Sequence, residues 1–410
     1  MKKIVRAVKK LMRPRPKKMD GARHGIAPAA IDAEAAAAVA RLQKAGYETY
    51  IVGGAVRDLM LGIAPKDFDL STSATPPEVK KLFRRARIIG RRFKIVHLPL
   101  PSRGRFAVME VTTFRADGEE VVRNASGRIL TDNLFGTPAQ DAVRRDFTCN
   151  ALFYNPADGK ITDYAGGCED IRRRRLRVIG APTERFRQDP VRMLRALRLE
   201  AKLGLILDKS ARRAVCANAA LLSDIASSRL FDEAVKIINS GAAAAAFRAC
   251  AECGVGQYVL PAACKTGFAE TVLQNADNRR NAGEEISLSF TLAGVFWPPV
   301  AARWRELRDK GAPPVRAMET AAKEAEFSEN PTVPRRVAGK IMDLYFLQAR
   351  FEARMTVRRA TGILRHPLFS RAIAFTAMRE DEGAAQTAEW WRAYQNASGE
   401  HRKKMITARA

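Results

Sequence analysis

The stretch IVGGAVRDLMLG (residues 51–62), followed closely by KDFDLS (66–71), decides the fold of the N-terminal part of the chain. A β-rich run ends at paired glycines, and a helical pattern follows at once and ends at a further glycine. KDFDLS predicts a second strand. Because side chains two residues apart on a strand face the same side, Asp67 and Asp69 are expected to point into one site.

The surrounding sequence predicts a small mixed α/β unit and then a mainly helical remainder, which is an α+β fold. A helix is predicted for 31–46, and strands with alternating apolar and polar residues are predicted for 92–100 and 105–114. From Thr137 the pattern changes. TPAQDAVRRDFTCNALFYN (137–155) is interpreted as helical, and PVRMLRALRLEAKLG (190–204) predicts a strongly amphipathic helix.

Two proline pairs interrupt the helical C-terminal half. Pro298 and Pro299 form the first pair, and Pro313 and Pro314 form the second. Because proline removes a helical hydrogen bond, both pairs predict loops between helical layers.

The charge balance of the 410-residue chain is strongly basic. Seventy-one Lys and Arg residues against 44 Asp and Glu residues give a net charge of +27. An excess of this size predicts a polyanion as partner, because Lys and Arg that neutralise phosphates release counterions. Residues 1–25 are interpreted as a basic arm without the apolar stretch of a secretory signal. No apolar run approaches a membrane span, so a cytoplasmic protein is expected.

The residue types around the two strands predict a site for a metal ion and a triphosphate. Asp67 and Asp69 repel each other unless a cation lies between them, and Mg²⁺ binds one or two carboxylates together with substrate phosphates. We therefore expect a two-metal Mg²⁺ site on this pair, with Mn²⁺ as an alternative. Gly53 and Gly54 allow a backbone to approach phosphates, and Arg57 lies one turn further on. Each feature alone is also found in ordinary surface turns.

The sequence after these two strands offers candidates for a third carboxylate and for further phosphate ligands. Glu110 lies on an alternating strand, and Asp141 lies one turn before Arg145; the residues alone favour neither as the third acid. Asp141 and Arg145 would otherwise form a plain ion pair. Arg145 is a candidate triphosphate ligand, and Asp146 is a candidate acceptor for ribose hydroxyls. A buried structural Asp–Arg network is the alternative for Asp146.

The start of the amphipathic helix predicts recognition of a base. Asp189 suits the N-cap and Pro190 the first helical position, and Arg192, Arg195 and Arg198 form one cationic face. An Asp that accepts from an exocyclic amine, beside an Arg that donates to the ring nitrogen, matches adenine and cytosine. Guanine and uracil would leave buried groups unpaired, at about 1–3 kcal/mol per group. The pair does not separate adenine from cytosine, and a cap with a solvated Arg stripe is the alternative.

Together these segments resemble the bacterial branch of the polymerase-β-like superfamily, which contains poly(A) polymerases and tRNA CCA-adding enzymes. The likeness is strongest over about residues 48–240. It is carried, in order, by IVGGAVRDLMLG, KDFDLSTSATPPEV, RRDFTCNAL, DYAGGCEDI and DPVRMLRALR. One departure is Gln188, where the family usually has an acid before the Asp, and this departure concerns the tuning of nucleotide choice.

The resemblance implies a nucleotidyltransferase head, a mixed sheet with helices, followed by an all-helical neck, body and tail. The expected bounds are 1–25 for the arm, 26–136 for the head, 137–225 for the base-recognising neck, 226–345 for the body and 346–410 for a basic RNA-binding tail. It implies Asp67, Asp69 and Asp141 as catalytic acids. Around the nucleotide it implies Gly54, Arg57, Arg145, Asp189, Arg192 and Arg195.

The segment IIGRRFKIVH and the C-terminal HPLF and WW stretches resemble the poly(A) polymerase side of the family. The expected activity is therefore template-independent addition of adenylate from ATP to RNA 3′ ends, with release of pyrophosphate. CCA addition to tRNA is the first alternative. A non-catalytic RNA-binding relative is the second. The sequence gives no indication of a protein partner.

Overall fold

The chain is described by a computed structural model that covers residues 16–90, 94–100, 107–116, 122–123, 129–131, 135–264, 267–325 and 333–409. It divides into two units, residues 1–218 and 219–410. The first fifteen residues of the predicted basic arm lie outside the described residues.

A mixed sheet is the centre of the first unit. Its strand order is β1-β10-β9-β2-β3-β6-β5-β4, with β3 and β6 parallel and the other described pairs antiparallel. The strands are β1 (Lys17–Asp20), β2 (Thr49–Val52), β3 (Asp69–Thr72), β4 (Arg87–Ile89), β5 (Ile95–Pro99), β6 (Val108–Thr113), β9 (Leu152–Asn155) and β10 (Lys160–Asp163). Two short pairs lie outside it: β7 (Val122–Arg123) with β8 (Ile129–Thr131), and β11 (Arg175–Leu176) with β12 (Ile206–Leu207).

Helices flank the strands of this unit. They are α1 (Ala33–Lys44), α2 (Gly54–Met60), α3 (Pro76–Leu82), α4 (Pro138–Arg144), α5 (Gly167–Arg172), α6 (Pro182–Gln188), α7 (Val191–Leu203) and α8 (Lys209–Ala217). The strand, glycine turn and helix predicted at 51–62 are confirmed as β2 and α2. The amphipathic helix predicted at 190–204 is confirmed as α7, whose apolar face is buried.

The prediction of continuous helix over 137–155 is wrong. Helix α4 ends at Arg144, and LFYN forms strand β9, which pairs with both β2 and β10. The aromatic residues of LFYN fit a buried pleated surface, and the following Pro-Ala-Asp-Gly segment supplies the turn to β10. The sheet therefore continues beyond the head bounds expected from sequence, 26–136. On the same side, next to β10, it also includes the edge strand β1, which lies within the expected arm.

The second strand of the catalytic motif begins later than predicted. Strand β3 starts at Asp69, so Asp67 lies just before it. Residues 67–70 nevertheless alternate between exposed and buried, with Phe68 and Leu70 in the core. Asp67 and Asp69 therefore lie on the same, open side of the chain, as the two-residue spacing predicts.

The second unit is helical. Its helices are α9 (Ser227–Ile238), α10 (Ala243–Glu252), α11 (Phe268–Asn281), α12 (Leu288–Asp309), α13 (Pro314–Glu324), α14 (Arg335–Glu352), α15 (Val357–Leu364), α16 (Phe369–Met378), α17 (Ala384–Asn396) and α18 (Gly399–Thr407). The helices described are too short or too polar to cross a membrane.

The proline pairs of this unit have different outcomes. The loop at Pro313 and Pro314 is confirmed, since α12 ends at Asp309 and α13 begins at Pro314. The loop at Pro298 and Pro299 is wrong, because α12 continues through both. Trp297 and Val300 on either side are buried, and this packing outweighs the hydrogen bonds that the two prolines cannot make.

Candidate active site

One face of the sheet carries the polar residues of the catalytic motif. In the register of β2 and β3, Val52 is opposite Asp69 and Tyr50 is opposite Ser71. The hydroxyl groups of Ser71 and Thr112, on the parallel neighbours β3 and β6, are 3.0 Å apart. On the same face, beside these groups, lies an aromatic cluster in which Phe153 meets Tyr50, Phe114 and Tyr164 with ring centroids 5.4–6.4 Å apart. Asp69 is therefore the first residue of a strand whose next three residues pair on both sides, with β2 and β6.

The glycine turn joins this face at the end of β2. Gly53 has φ of +72°, a conformation that residues with a side chain rarely adopt. A Cβ atom at Gly53 would lie 3.1 Å from Nη1 of Arg145, so the position also has little space for a side chain. The turn places the first residues of α2 next to the Arg145 guanidinium. This arrangement brings backbone N–H groups and a cation to one edge of the sheet.

Three carboxylates surround the open end of β3. Although Asp69 keeps access to solvent, the loss of water around its carboxyl group raises its pKa to about 6, and the charges of Glu110 and Asp67 add to the rise. Arg145 opposes this shift. Glu110 also lies 3.6 Å from Nε2 of His97 on the neighbouring strand. An excess of negative charge of this kind suits a divalent cation, and Asp67 and Asp69 would hold it.

Among the described residues, no group of three or more His, Cys, Asp and Glu side chains is arranged as a metal site. The resemblance implied Asp141 as the third acid, and the charge of Glu110, the other candidate, is one of those that raise the pKa of Asp69. Asp141 is buried, and its carboxylate accepts a hydrogen bond from Arg145 at 2.9 Å and one from the backbone N–H of Arg115 at 3.3 Å. The i,i+4 ion pair considered at the sequence level is thus present.

Arg145 links several parts of the site. Its Nη2 donates to the Ser71 hydroxyl at 3.1 Å as well as to Asp141, and its guanidinium lies 5.1 Å from the centre of the Phe153 ring. Nη1 donates to the backbone carbonyl of Asn150 at 3.3 Å. The guanidinium is therefore held in place before any ligand binds.

Arg57 is more buried than a direct phosphate ligand needs to be. It is 6% exposed, its Nε and Nη2 donate to Asp58, and its Nη1 donates to Oδ1 of Asn150 at 2.6 Å. Each terminal nitrogen keeps a second N–H beyond these bonds. In this structure Arg57 fixes the start of α2 against Asn150.

Asp146 belongs to the buried Asp–Arg network that was the alternative interpretation. One carboxylate oxygen accepts from the Phe147 N–H and from Asn150, and the other accepts from Arg195 at 2.8 Å. Burial opposes ionisation, but Arg195, Asn150 and Arg192 together hold the pKa of Asp146 well below its usual range. Both oxygens are already used, so the structure offers no free acceptor here for a ribose.

The start of α7 differs by one residue from the prediction, since Pro190 rather than Asp189 takes the N-cap position. The helix begins at Val191, and the Asp189 carboxylate accepts from the Val191 N–H at 3.3 Å. Arg192 donates to the backbone carbonyls of Arg185 and Arg144 at 3.2 and 3.4 Å. Asp189 and the three arginines of the cationic face, Arg192, Arg195 and Arg198, are all half-buried.

Two residues that the sequence did not single out are central to the site. Asn150 bonds to Arg57, Asp146 and, through its backbone, Arg145. Arg185 donates to the carbonyls of Arg144 and Arg145, each at 2.6 Å, and to Gln188 at 2.9 Å. Gln188, the departure from the family pattern, therefore supports Arg185. Spacing could not reveal these roles, because they depend on the chain reversal after α4.

Three family models match separate parts of the chain. Residues 49–177 match the poly A polymerase head domain, residues 204–266 match a probable RNA and SrmB-binding site of polymerase A, and residues 310–410 match the polymerase A arginine-rich C-terminus. These matches together cover the head, the start of the second unit and its C-terminal part.

Similar proteins span nearly the whole chain. Poly(A) polymerase I of Haemophilus influenzae is 36% identical over 94% of this chain and 89% of its own length. That of Salmonella typhimurium is 35% identical over 93% of this chain and 86% of its own. A CCA-adding enzyme of Bacillus licheniformis is 37% identical, but over only 52% of each chain.

Solved structures show the same architecture. The Bacillus stearothermophilus CCA-adding enzyme in complex with CTP matches with a TM-score of 0.61 and 28% identity, over 88% of this chain and 80% of its own. The Thermotoga maritima CCA-adding enzyme complexed with tRNA matches with a TM-score of 0.55 and 20% identity, over 95% of this chain and 85% of its own, which supports the fold. With its motifs, its sheet and its near-full-length relatives in agreement, the chain belongs to the poly(A) polymerase family of nucleotidyltransferases.

Proposed function

We propose that this protein is a polynucleotide adenylyltransferase that extends RNA 3′ ends with adenylate from ATP and releases pyrophosphate. The observation that carries the proposal is the extent of similarity. Poly(A) polymerase I relatives match 93–94% of the chain, whereas the CCA-adding enzyme of Bacillus licheniformis matches about half of it. RNA and ATP are accordingly its proposed partners, and the cytoplasm is its proposed location.

The reaction is proposed to take place at the open end of β3. Asp67 and Asp69 would hold Mg²⁺, or Mn²⁺ in its place, and the ions would supply charge neutralisation at the triphosphate and a more acidic 3′-hydroxyl. Glu110, whose charge acts on Asp69, is a further candidate acid. Asp141, implied as catalytic by the family resemblance, is proposed to act by orienting Arg145 through their 2.9 Å ion pair.

The nucleotide is proposed to lie between the glycine turn and the start of α7. The N–H groups after Gly53 and the preorganised Arg145 would contact the triphosphate. Asp189 would accept from the exocyclic amine of adenine, and Arg192 would donate to the neighbouring ring nitrogen. The buried Arg57 and Asp146 would support this surface, and the half-buried Arg195 and Arg198 would add positive charge along α7.

The domain bounds remain part of the proposal. The head would include the sheet, the region up to residue 225 would read the base, and residues 226–345 and 346–410 would form body and tail. The basic tail and the arm of residues 1–25 would bind RNA phosphates, in keeping with the net charge of +27.

The test is an extension assay with a 5′-labelled RNA that is not a tRNA. The protein is incubated with Mg²⁺ and each of the four nucleotides separately, and we expect long products with ATP only. Asp67→Asn and Asp69→Asn should abolish extension, whereas the matched exposed control Asp232→Asn should not. Addition limited to two C and one A on tRNA would replace the proposal with CCA addition. RNA binding without any extension would indicate a non-catalytic relative.

A further inference from the structure

The second unit contains a cavity of about 660 Å³ that lies outside the residues matched to a probable RNA-binding site, 204–266. Parts of four helices line it: the end of α11, the start of α12, the start of α14 and the start of α16. Four cationic side chains reach its lining from these elements, namely Arg279, Arg336, Lys340 and Arg371. Among the described lining residues, Glu285 is the acid.

Most of this positive charge is not compensated within the described structure. Arg279 donates to Glu284 at 2.8 Å, so its charge is partly neutralised. Arg336, Lys340 and Arg371 are exposed and have no ion pair with any described residue. Like charges collected in one concavity repel each other, and the low-dielectric walls focus their field on whatever enters. The cavity therefore favours an anion.

The lining of the cavity adds polar groups to these cations. Ser287 precedes the first residue of α12, and no side chain caps the N–H groups of that 22-residue helix. Ser289, which is 8% exposed, also lines the cavity. The positive end of the helix dipole thus points to the same space as the cations.

The position of the charges distinguishes a polymer from a small ion. All four cations are exposed, so a ligand that continues beyond the cavity can still contact them. The volume exceeds that of one phosphate, and Ile286 and Phe290 provide apolar surface beside the charges. A nucleotide within a longer chain fits this combination, with its phosphate on the cations and its sugar and base on the apolar side.

We propose that this cavity binds a phosphodiester and the adjoining nucleotide of the RNA substrate, away from the reacting 3′ end. The inference rests on RNA being the substrate. It adds a defined anchoring site, formed by Arg336, Lys340 and Arg371 with Arg279, to the general basic character of the chain. Contacts with phosphates carry no sequence information, so binding here is expected for any RNA sequence.

The test measures binding of a short 5′-labelled oligoadenylate by fluorescence anisotropy over a range of NaCl concentrations, without ATP or Mg²⁺. The cavity variant is Arg336→Gln/Lys340→Gln. The matched control, Arg305→Gln/Arg316→Gln, removes the same charge from two exposed helical arginines of the same unit that neither line the cavity nor lie in the proposed tail. Thermal unfolding of both variants confirms that the fold is kept.

We expect the slope of log K against log salt to fall by about 1.4 in the cavity variant, about 0.7 for each lost contact with a single strand. Between 1 M and 0.1 M salt, a slope smaller by about 1.4 corresponds to a factor of about 25 in the association constant. The association constant of the cavity variant near 0.1 M salt should therefore be about 25-fold lower than that of the wild type. Glu285→Gln should tighten binding about two- to threefold, because it removes the opposing charge. A gain of affinity cannot result from misfolding.

Equal slopes for the cavity variant and the control would overturn the inference. A second result would also overturn it: the cavity variant loses binding of inorganic phosphate, measured by equilibrium dialysis, but keeps its RNA binding. The site would then hold a small anion. Neither result depends on nucleotide addition. Failure of the extension assay would instead refute the proposed activity, so the two failures can be told apart.

Discussion

Replacement of Arg195 by methionine tests how helix α7 is held against the segment that follows α4. Arg195 on α7 donates to Asp146 through Nε at 2.8 Å and through Nη2 at 2.7 Å. Asp146 is 9% exposed, whereas the Arg195 side chain is 35% exposed. Methionine keeps most of the stem volume and removes the charge, so the buried carboxylate loses its main counter-ion.

The magnitude follows from this asymmetry of burial. Removing one partner of a buried ion pair costs about 3–5 kcal/mol, because the other charge stays buried without compensation. Solvent already screens Arg195, and the Asn150 amide and Phe147 N–H still bind the carboxylate, so we expect about 2 kcal/mol. Asp146→Asn should cost about 1 kcal/mol, since the arginine that it leaves unpaired can reach water.

The assay is thermal unfolding of the full chain, with Arg195→Met, Asp146→Asn and the double variant compared with the wild type. A loss of about 2 kcal/mol should lower the midpoint of the first unit by about 4–8 °C. The double variant should be no less stable than Arg195→Met, because no buried charge remains.

The pH dependence supplies a second criterion. The folded-state pKa of Asp146 is lowered, so its ion pair contributes stability above the unfolded pKa and loses it as the pH falls towards the folded value. In Arg195→Met the uncompensated carboxyl group takes up a proton more readily. The destabilisation should therefore be largest at neutral pH and shrink below about pH 5. Additive effects in the double variant, or a pH-independent loss, would refute this account.

Three further predictions concern other parts of the molecule. Gly53→Ala should destabilise the protein by about 2 kcal/mol, because φ at this residue is +72°. It should also raise the KM for ATP, because the added Cβ would lie 3.1 Å from Nη1 of Arg145. Urea unfolding measures the first effect, and initial rates measure the second. Mg²⁺ binding by isothermal calorimetry should weaken below about pH 6, where protons compete for Asp69, and Asp69→Asn should remove this dependence. Asp277→Ala should cost about 1–2 kcal/mol in a thermal melt, since Asp277 accepts the Ala243 and Ala244 N–H groups at 2.7 and 3.0 Å; an unchanged melting temperature would contradict that capping role.

Local patterns predicted the strand, glycine turn and helix at 51–62 and the shared side of Asp67 and Asp69, because these follow from two- and four-residue periodicities. They did not predict strand β9. Its residues become a strand only by pairing with two neighbours. One is β2, which lies about 100 residues earlier in the sequence, and the other is β10, which follows directly. The role of Asn150 depends on the same long-range pairing. Glu110 could be placed beside Asp69 only once β6 was seen to lie parallel to β3.

The contacts of Asn150 explain why the two proposed halves of the nucleotide site behave as one structure. From Arg195 on α7, hydrogen bonds lead to Asp146 and then to the Asn150 amide, whose Oδ1 accepts from Arg57 behind the glycine turn. The backbone carbonyl of Asn150 accepts from Arg145, which contacts Ser71 on β3. Every link is buried or half-buried and holds a charge or an amide that would be costly to leave unpaired. A change on α7, where base recognition is proposed, should therefore alter the proposed triphosphate side as well, so nucleotide choice and catalytic rate are expected to change together.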